Sequence, residues 1–163
     1  MKFPNINPTA FEIFGLEIKW YGISYALSLI LALFLCKVLS KKYNKIKEKV
    51  FDDILIWVAL GIIVGGRIGY VVFYNFNFYV NNPKYILIGI RDGGMSFHGG
   101  ILGVTLACLF FSKLKKVSFL NIMDIIACTA PLGLFLGRIA NFINSELWGK
   151  ETNFFLGVIF PNG

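Results

Sequence analysis

Four long apolar runs limit this chain to very few folds. They cover residues 20–39, 54–74, 95–111 and 119–136, and about 20 apolar residues carry a helix across the hydrocarbon of a bilayer. No water there satisfies exposed backbone N–H and C=O groups, so segments of this kind become helices. The expected fold is all-α, a polytopic integral membrane helical bundle of about four spans, in a single membrane domain over residues 1–163. Composition agrees: 15% of residues are charged, against about 25% in soluble domains. Seventeen glycines suit packed membrane helices, since a missing side chain lets backbones approach. Cys36, Cys108 and Cys128 lie in apolar runs without metal or redox spacing and read as small buried hydrophobes.

Between the spans lie short polar stretches. Residues 1–19 form a polar-aromatic lead-in without the basic start and apolar run of a signal peptide. Trp20 and Tyr21 open the first span like an interfacial belt. The second span is expected to be interrupted at Gly65-Gly66-Arg67-Ile68-Gly69. Residues 75–94 make a connection whose apolar patch, 85–90, is too short to cross, and so is 154–160. Nothing about Pro161-Asn162-Gly163 looks like a planned ending, so the chain is expected to be a C-terminally truncated portion of a longer bundle.

The lysines set the topology. Nine of the thirteen lie at 37–49 or 113–116, in two loops that share a side if there are four spans. Positive-inside orientation puts those loops in the cytoplasm and the N-terminus outside. The formal charge of +7 is therefore localised at membrane loops, and no nucleic-acid partner is expected.

The three arginines behave differently. Arg67, Arg91 and Arg138 each have glycine beside them or one residue away, and none sits in a basic loop. All fall in the outer half or on the outer side of this topology. A guanidinium keeps its charge in lipid and grips phosphate through a planar fork. A phosphate-bearing ligand on the outer side is one reading; for Arg67 and Arg91 the other is structural pairing with acids such as Asp92. The richest stretch follows the fourth span. On a helix Arg138, Asn141 and Ser145 are spaced i, i+3, i+7 and share a face, flanked by Asn144 and Glu146. An interfacial anchor built on Arg138 and Trp148 is the simpler account. Yet an arginine, two amides and a carboxylate within nine residues exceed what anchoring requires.

His98 is the single histidine. With no second histidine or cysteine nearby, neither a metal site nor a cofactor is expected. A neutral imidazole there is able to accept a proton from a nucleophile. Asn121 and Asp124, one turn apart in the fourth span, are expected to face the bundle, stabilising it or orienting a site residue.

These motifs resemble the prolipoprotein diacylglyceryl transferase family of bacterial inner membranes. The resemblance is carried by Trp20-Tyr21-Gly22, Gly66-Arg67-Ile68-Gly69-Tyr70, Gly94-Met95-Ser96-Phe97-His98-Gly99-Gly100 and the stretch from Gly137 to Gly149. Ala140 and Ser145 depart from it, standing where glycine is usual. It implies a transferase that moves the diacylglyceryl group of phosphatidylglycerol to the lipobox cysteine of a prolipoprotein signal peptide, forming a thioether and releasing glycerol phosphate. It implies catalytic roles for His98 and Arg138, phosphatidylglycerol binding by Arg138, and functional sensitivity at Tyr21, Asn121, Asn141, Glu146 and Gly149. Asn144 is added as a hydrogen-bond donor to phosphate or glycerol oxygens. The expected setting is the bacterial plasma membrane, with the site toward the outer leaflet. Members are longer than this chain and carry a further essential arginine and acid in their C-terminal part. The competing class is a transporter or flippase for anionic lipids, built on the same buried arginines and broken spans.

Overall fold

The structure, a computed structural model, describes residues 1–4, 6–43, 46–89 and 93–161. Most of them are helical. The long helices are α1 (Trp20–Tyr43), α2 (Lys49–Tyr74), α5 (Phe97–Lys115) and α6 (Phe119–Ile143), with two short ones, α3 (Phe76–Asn81) and α4 (Tyr85–Ile88), between α2 and α5. Among the described residues the four long helices are long and apolar enough to cross a membrane. Large apolar side chains stand outward on all of them, including Phe34, Leu60, Leu114 and Leu120. Water would not tolerate such a surface, whereas lipid welcomes it.

The elements differ from expectation in instructive places. Helix α1 continues to Tyr43 and takes Lys41 and Lys42 into its last turn, where cations complement the helix dipole. Helix α5 starts at Phe97 because Ser96 caps it, its hydroxyl accepting from the Gly99 N–H at 3.2 Å. The expected break in the second span is absent: α2 runs unbroken through Gly65–Gly69. The lead-in holds a small antiparallel hairpin, β1 (Thr9–Ile13) and β2 (Leu16–Lys19), a minor departure from an all-α chain. Its two-residue loop, Phe14-Gly15, has φ of 50° and 80°, the positive pair that a type I′ turn demands.

The described chain forms two compact units, residues 1–34 with 128–163 and residues 35–127. In the second unit, α2 and α5 meet along glycines. A Cβ added to Gly69 would lie 2.7 Å from the Gly99 Cα, one on Gly61 2.7 Å from the Gly103 carbonyl oxygen, and one on Gly65 2.7 Å from the Gly103 Cα. The glycines thus leave α2 helical and draw the two backbones together. Below them Phe51, Ile54, Cys108, Phe111 and Ile122 form the buried apolar core. Lys37–Asp52 at 2.5 Å and Lys115–Asp53 at 2.6 Å tie the basic end; both pairs are solvent-exposed and contribute little.

In the first unit the N-terminal residues lie along the 157–159 backbone. Phe3 N–H donates to the Ile159 carbonyl at 3.1 Å and Ile159 N–H to the Met1 carbonyl at 2.8 Å. Phe3, Phe142, Trp148 and Phe160 pack beside them, with ring centroids 5.1–6.1 Å apart. Aromatic packing thereby fastens the end of α6 to the segment that follows it. Cys36 and Cys108 are buried as expected, but Cys128 is exposed; on a lipid-facing surface an apolar residue needs no cover.

Candidate active site at the end of α6

The polar stretch is shaped by how α6 stops. Ser145 has φ 57°, Ser145 N–H donates to the Phe142 carbonyl at 3.0 Å, and Glu146 N–H reaches back to the Asn141 carbonyl at 2.9 Å. This is a Schellman ending with serine in the left-handed position usually given to glycine. Arg138 and Asn141 therefore share the helix and its face as expected. Ser145 does not: the chain has left the helix, so the expected i+7 alignment fails. Leu147, also at positive φ (51°), turns the chain again before Gly149.

Within this unit several expected residues come together. The Tyr21 hydroxyl donates to Asn141 Oδ1 at 3.0 Å, joining the first turn of α1 to the last of α6. Arg138 and Glu146 both lie within electrostatic reach of that hydroxyl. Asn141 and Ser145 are each 8% exposed, while Arg138 and Glu146 are open. Among the described residues two buried atoms here lack a partner, Asn144 Oδ1 and Ser145 Oγ. Buried polar atoms are normally satisfied, and unsatisfied ones call for an explanation. Around Gly149 the chain leaves room, since a Cβ there would meet no atom within 4 Å. Tyr25, whose ring lies 5.3 Å from that of Tyr21, joins the group through its i, i+4 spacing on α1, an overlooked signal in the sequence.

His98 and Asn121 belong to the other unit. His98 is the second residue of α5, exposed, with its ring edge-on to Phe97 at 5.9 Å. Asn121 is half-buried in the first turn of α6, its N–H toward Ser118 Oγ at 3.4 Å, and Asp124 is exposed one turn on. Arg67 is not an open phosphate ligand. It is 3% exposed, and its described hydrogen bonds run to the backbone carbonyls of Tyr85, Ile86, Gly93 and Gly94 rather than to an acid. Arg91 and Asp92 lie outside the described residues. Among the described residues no three His, Cys, Asp or Glu side chains gather as a metal centre would require.

Four apolar helices and a polar cluster where one of them ends mark a multi-pass membrane protein with a polar site at the end of a span. Over residues 8–163 the chain matches the family profile described as prolipoprotein diacylglyceryl transferase, and it belongs to that family. It is 50% identical over 163 residues to the phosphatidylglycerol–prolipoprotein diacylglyceryl transferase of Rickettsia canadensis, an alignment covering 99% of this chain and 62% of that protein. With the same enzyme of Idiomarina loihiensis it shares 43% identity over 163 residues, 99% of this chain and 61% of that one. With that of Brucella anthropi it shares 44% over 170 residues, 100% of this chain and 60% of that one. The chain thus spans about three fifths of the length of these curated relatives.

Proposed function

We propose that this chain is the part of a phosphatidylglycerol–prolipoprotein diacylglyceryl transferase that carries the headgroup site, acting as one membrane domain of the bacterial plasma membrane. The reaction joins the sulfur of a lipobox cysteine to the glyceryl carbon that bears the phosphate ester. The carbon–oxygen bond breaks, glycerol phosphate leaves with the bonding electrons, and the thiol proton passes to a base. A thiol of pKa roughly 8.5 is only slightly ionised at neutral pH, so a base is needed, and His98 is our assignment for it. Negative charge grows on the leaving phosphate; Arg138 meets it. Glu146 orients Arg138, and Tyr21, Asn141 and Asn144 hold phosphate or glycerol oxygens.

The observation that carries this reading is the cluster itself. Tyr21 and Asn141 are bonded at 3.0 Å beside Arg138, with two buried polar atoms that the described chain does not satisfy. The glycerol hydroxyls of the headgroup can donate to Asn144 Oδ1, and Ser145 Oγ can donate to its oxygens. The open space at Gly149 leaves that side of the stretch free for a ligand. Positive-inside orientation turns this cluster toward the outer leaflet.

The decisive experiment incubates a lipobox peptide with membranes carrying the protein and phosphatidylglycerol. A thioether-linked diacylglyceryl adduct, seen by mass and dependent on phosphatidylglycerol, is the expected product. Movement of lipid between leaflets without any adduct would replace the transferase reading with the transporter one.

A further inference from the structure

We infer that Arg67 is a positioning residue for His98: it builds the stretch of backbone that delivers His98 at the start of α5. The inference rests on the transferase reading for His98's role, though the geometry stands without it. A guanidinium buried to 3% exposure needs its donors satisfied. Here Nη2 donates to the Tyr85 carbonyl at 2.8 Å and Nε to the Ile86 carbonyl at 2.9 Å. Nη1 donates to Gly93 at 2.8 Å and to Gly94 at 3.2 Å. The ring faces of Tyr79 and Tyr70 lie 5.2 and 5.9 Å from the guanidinium carbon, within range for cation–π attraction.

The consequence lies in where those carbonyls stand. Gly93 and Gly94 have φ of 93° and 83°, a left-handed pair that turns both oxygens toward one nitrogen. Just beyond them the Ser96 N–H donates to the Gly66 carbonyl at 2.8 Å, and the Ser96 hydroxyl then caps α5. Neighbouring residues of α2, Gly66 and Arg67, thus fix the chain on both sides of Met95, and His98 follows in the first turn. Lysine cannot substitute, because its donors radiate from a single nitrogen and do not span carbonyls on two separate segments.

The test uses Arg67→Lys in the membrane-reconstituted protein, with two readouts. Hydrogen exchange at the amides of 96–99 should quicken about tenfold or more while the middle of α5 stays protected, as local rather than global opening requires. In thioether formation kcat should fall by about 10²-fold, the scale of an ångström-sized misplacement, with KM for phosphatidylglycerol within about twofold of wild type. Unchanged exchange at 96–99 overturns the inference. So does a raised KM at constant kcat, which would make Arg67 a substrate ligand. If Arg67→Lys does not fold, Gly94→Ala disturbs the same stretch with the arginine intact. A Cβ there would lie 2.6 Å from the Tyr70 ring, and the variant should give the same pair of signatures; normal exchange and normal kcat in it overturn the inference. Absence of any thioether in the wild type defeats the transferase reading alone, because the exchange result is read without it.

Discussion

Arg138 and Arg67 carry the same group to different ends. One is open beside Tyr21 and Asn141, the other is sealed among carbonyls. Arg138→Lys keeps the charge and loses the fork, so turnover should drop by about 10²–10³, the range for removing one aligned donor from developing charge. Initial rates with a lipobox peptide decide it; near wild-type turnover refutes bidentate recognition. Ser145 makes a separate stability prediction. An L-residue in the left-handed region is strained by roughly 1–2 kcal/mol, and the hydroxyl there is buried without a partner among the described residues. Ser145→Gly should therefore raise the thermal unfolding midpoint in detergent, and a lowered midpoint would mean that Oγ is satisfied in the folded membrane protein. At this scale the sequence was legible where distance along the chain is short. The Arg138–Asn141 spacing survives because both are helical, whereas Ser145 leaves the helix through a cap that periodicity does not encode. The bond from Tyr21 to Asn141 joins positions that no local pattern connects; the interfacial position of Tyr21 is legible in the sequence, but its site role comes only from the family resemblance.

Among elements, the α2–α5 contact dominates the second unit. Gly61, Gly65 and Gly69 recur every four residues, as do Gly99 and Gly103, and each run lies on one helical face. In sequence the glycines of the Gly65–Gly69 stretch read as a break in the span. The physical reason they are not is that a glycine in lipid gains close backbone packing against its neighbour, which outweighs its weak helix propensity. Gly99 and Gly100 separate the two roles within one turn. A Cβ on Gly99 would lie 2.8 Å from the Gly69 Cα, while one on Gly100 meets nothing within 4 Å. Gly99→Ala should destabilise by about 1–3 kcal/mol through overpacking. Gly100→Ala should be neutral or stabilising by up to about 1 kcal/mol, from helix propensity alone. Thermal unfolding of the two variants side by side measures the difference, and equal effects would argue against close α2–α5 packing. The hairpin escaped the sequence reading because Phe14-Gly15 lacks the usual asparagine or aspartate before glycine. Phe14→Asn should for that reason firm up the loop, seen as slower hydrogen exchange in 9–19.

For the molecule as a whole, the number of spans follows from hydropathy, and the proposed orientation rests on charge. The C-terminal end of α1, the N-terminal end of α2 and the C-terminal end of α5 all carry lysines, while the opposite ends of α2 and α5 do not. A loop rich in lysine is held on the cytoplasmic side during insertion, and acids weigh little in that choice. The proposed topology, with each long helix crossing once, has Lys84 and Lys150 on the far side from those lysine-rich ends. Single cysteines in a cysteine-free background test this with a membrane-impermeant maleimide. Lys84→Cys and Lys150→Cys should label in intact cells, whereas Lys42→Cys and Lys113→Cys should label only once the membrane is opened. The functional stakes are direct. The proposed peptide substrate presents its lipobox at the outer face, so a site on the cytoplasmic side would meet no substrate. The reverse labelling pattern would therefore remove the outer-leaflet site, and the transferase assignment of His98 and Arg138 along with it, while leaving the α2–α5 packing and the Arg67 clasp untouched.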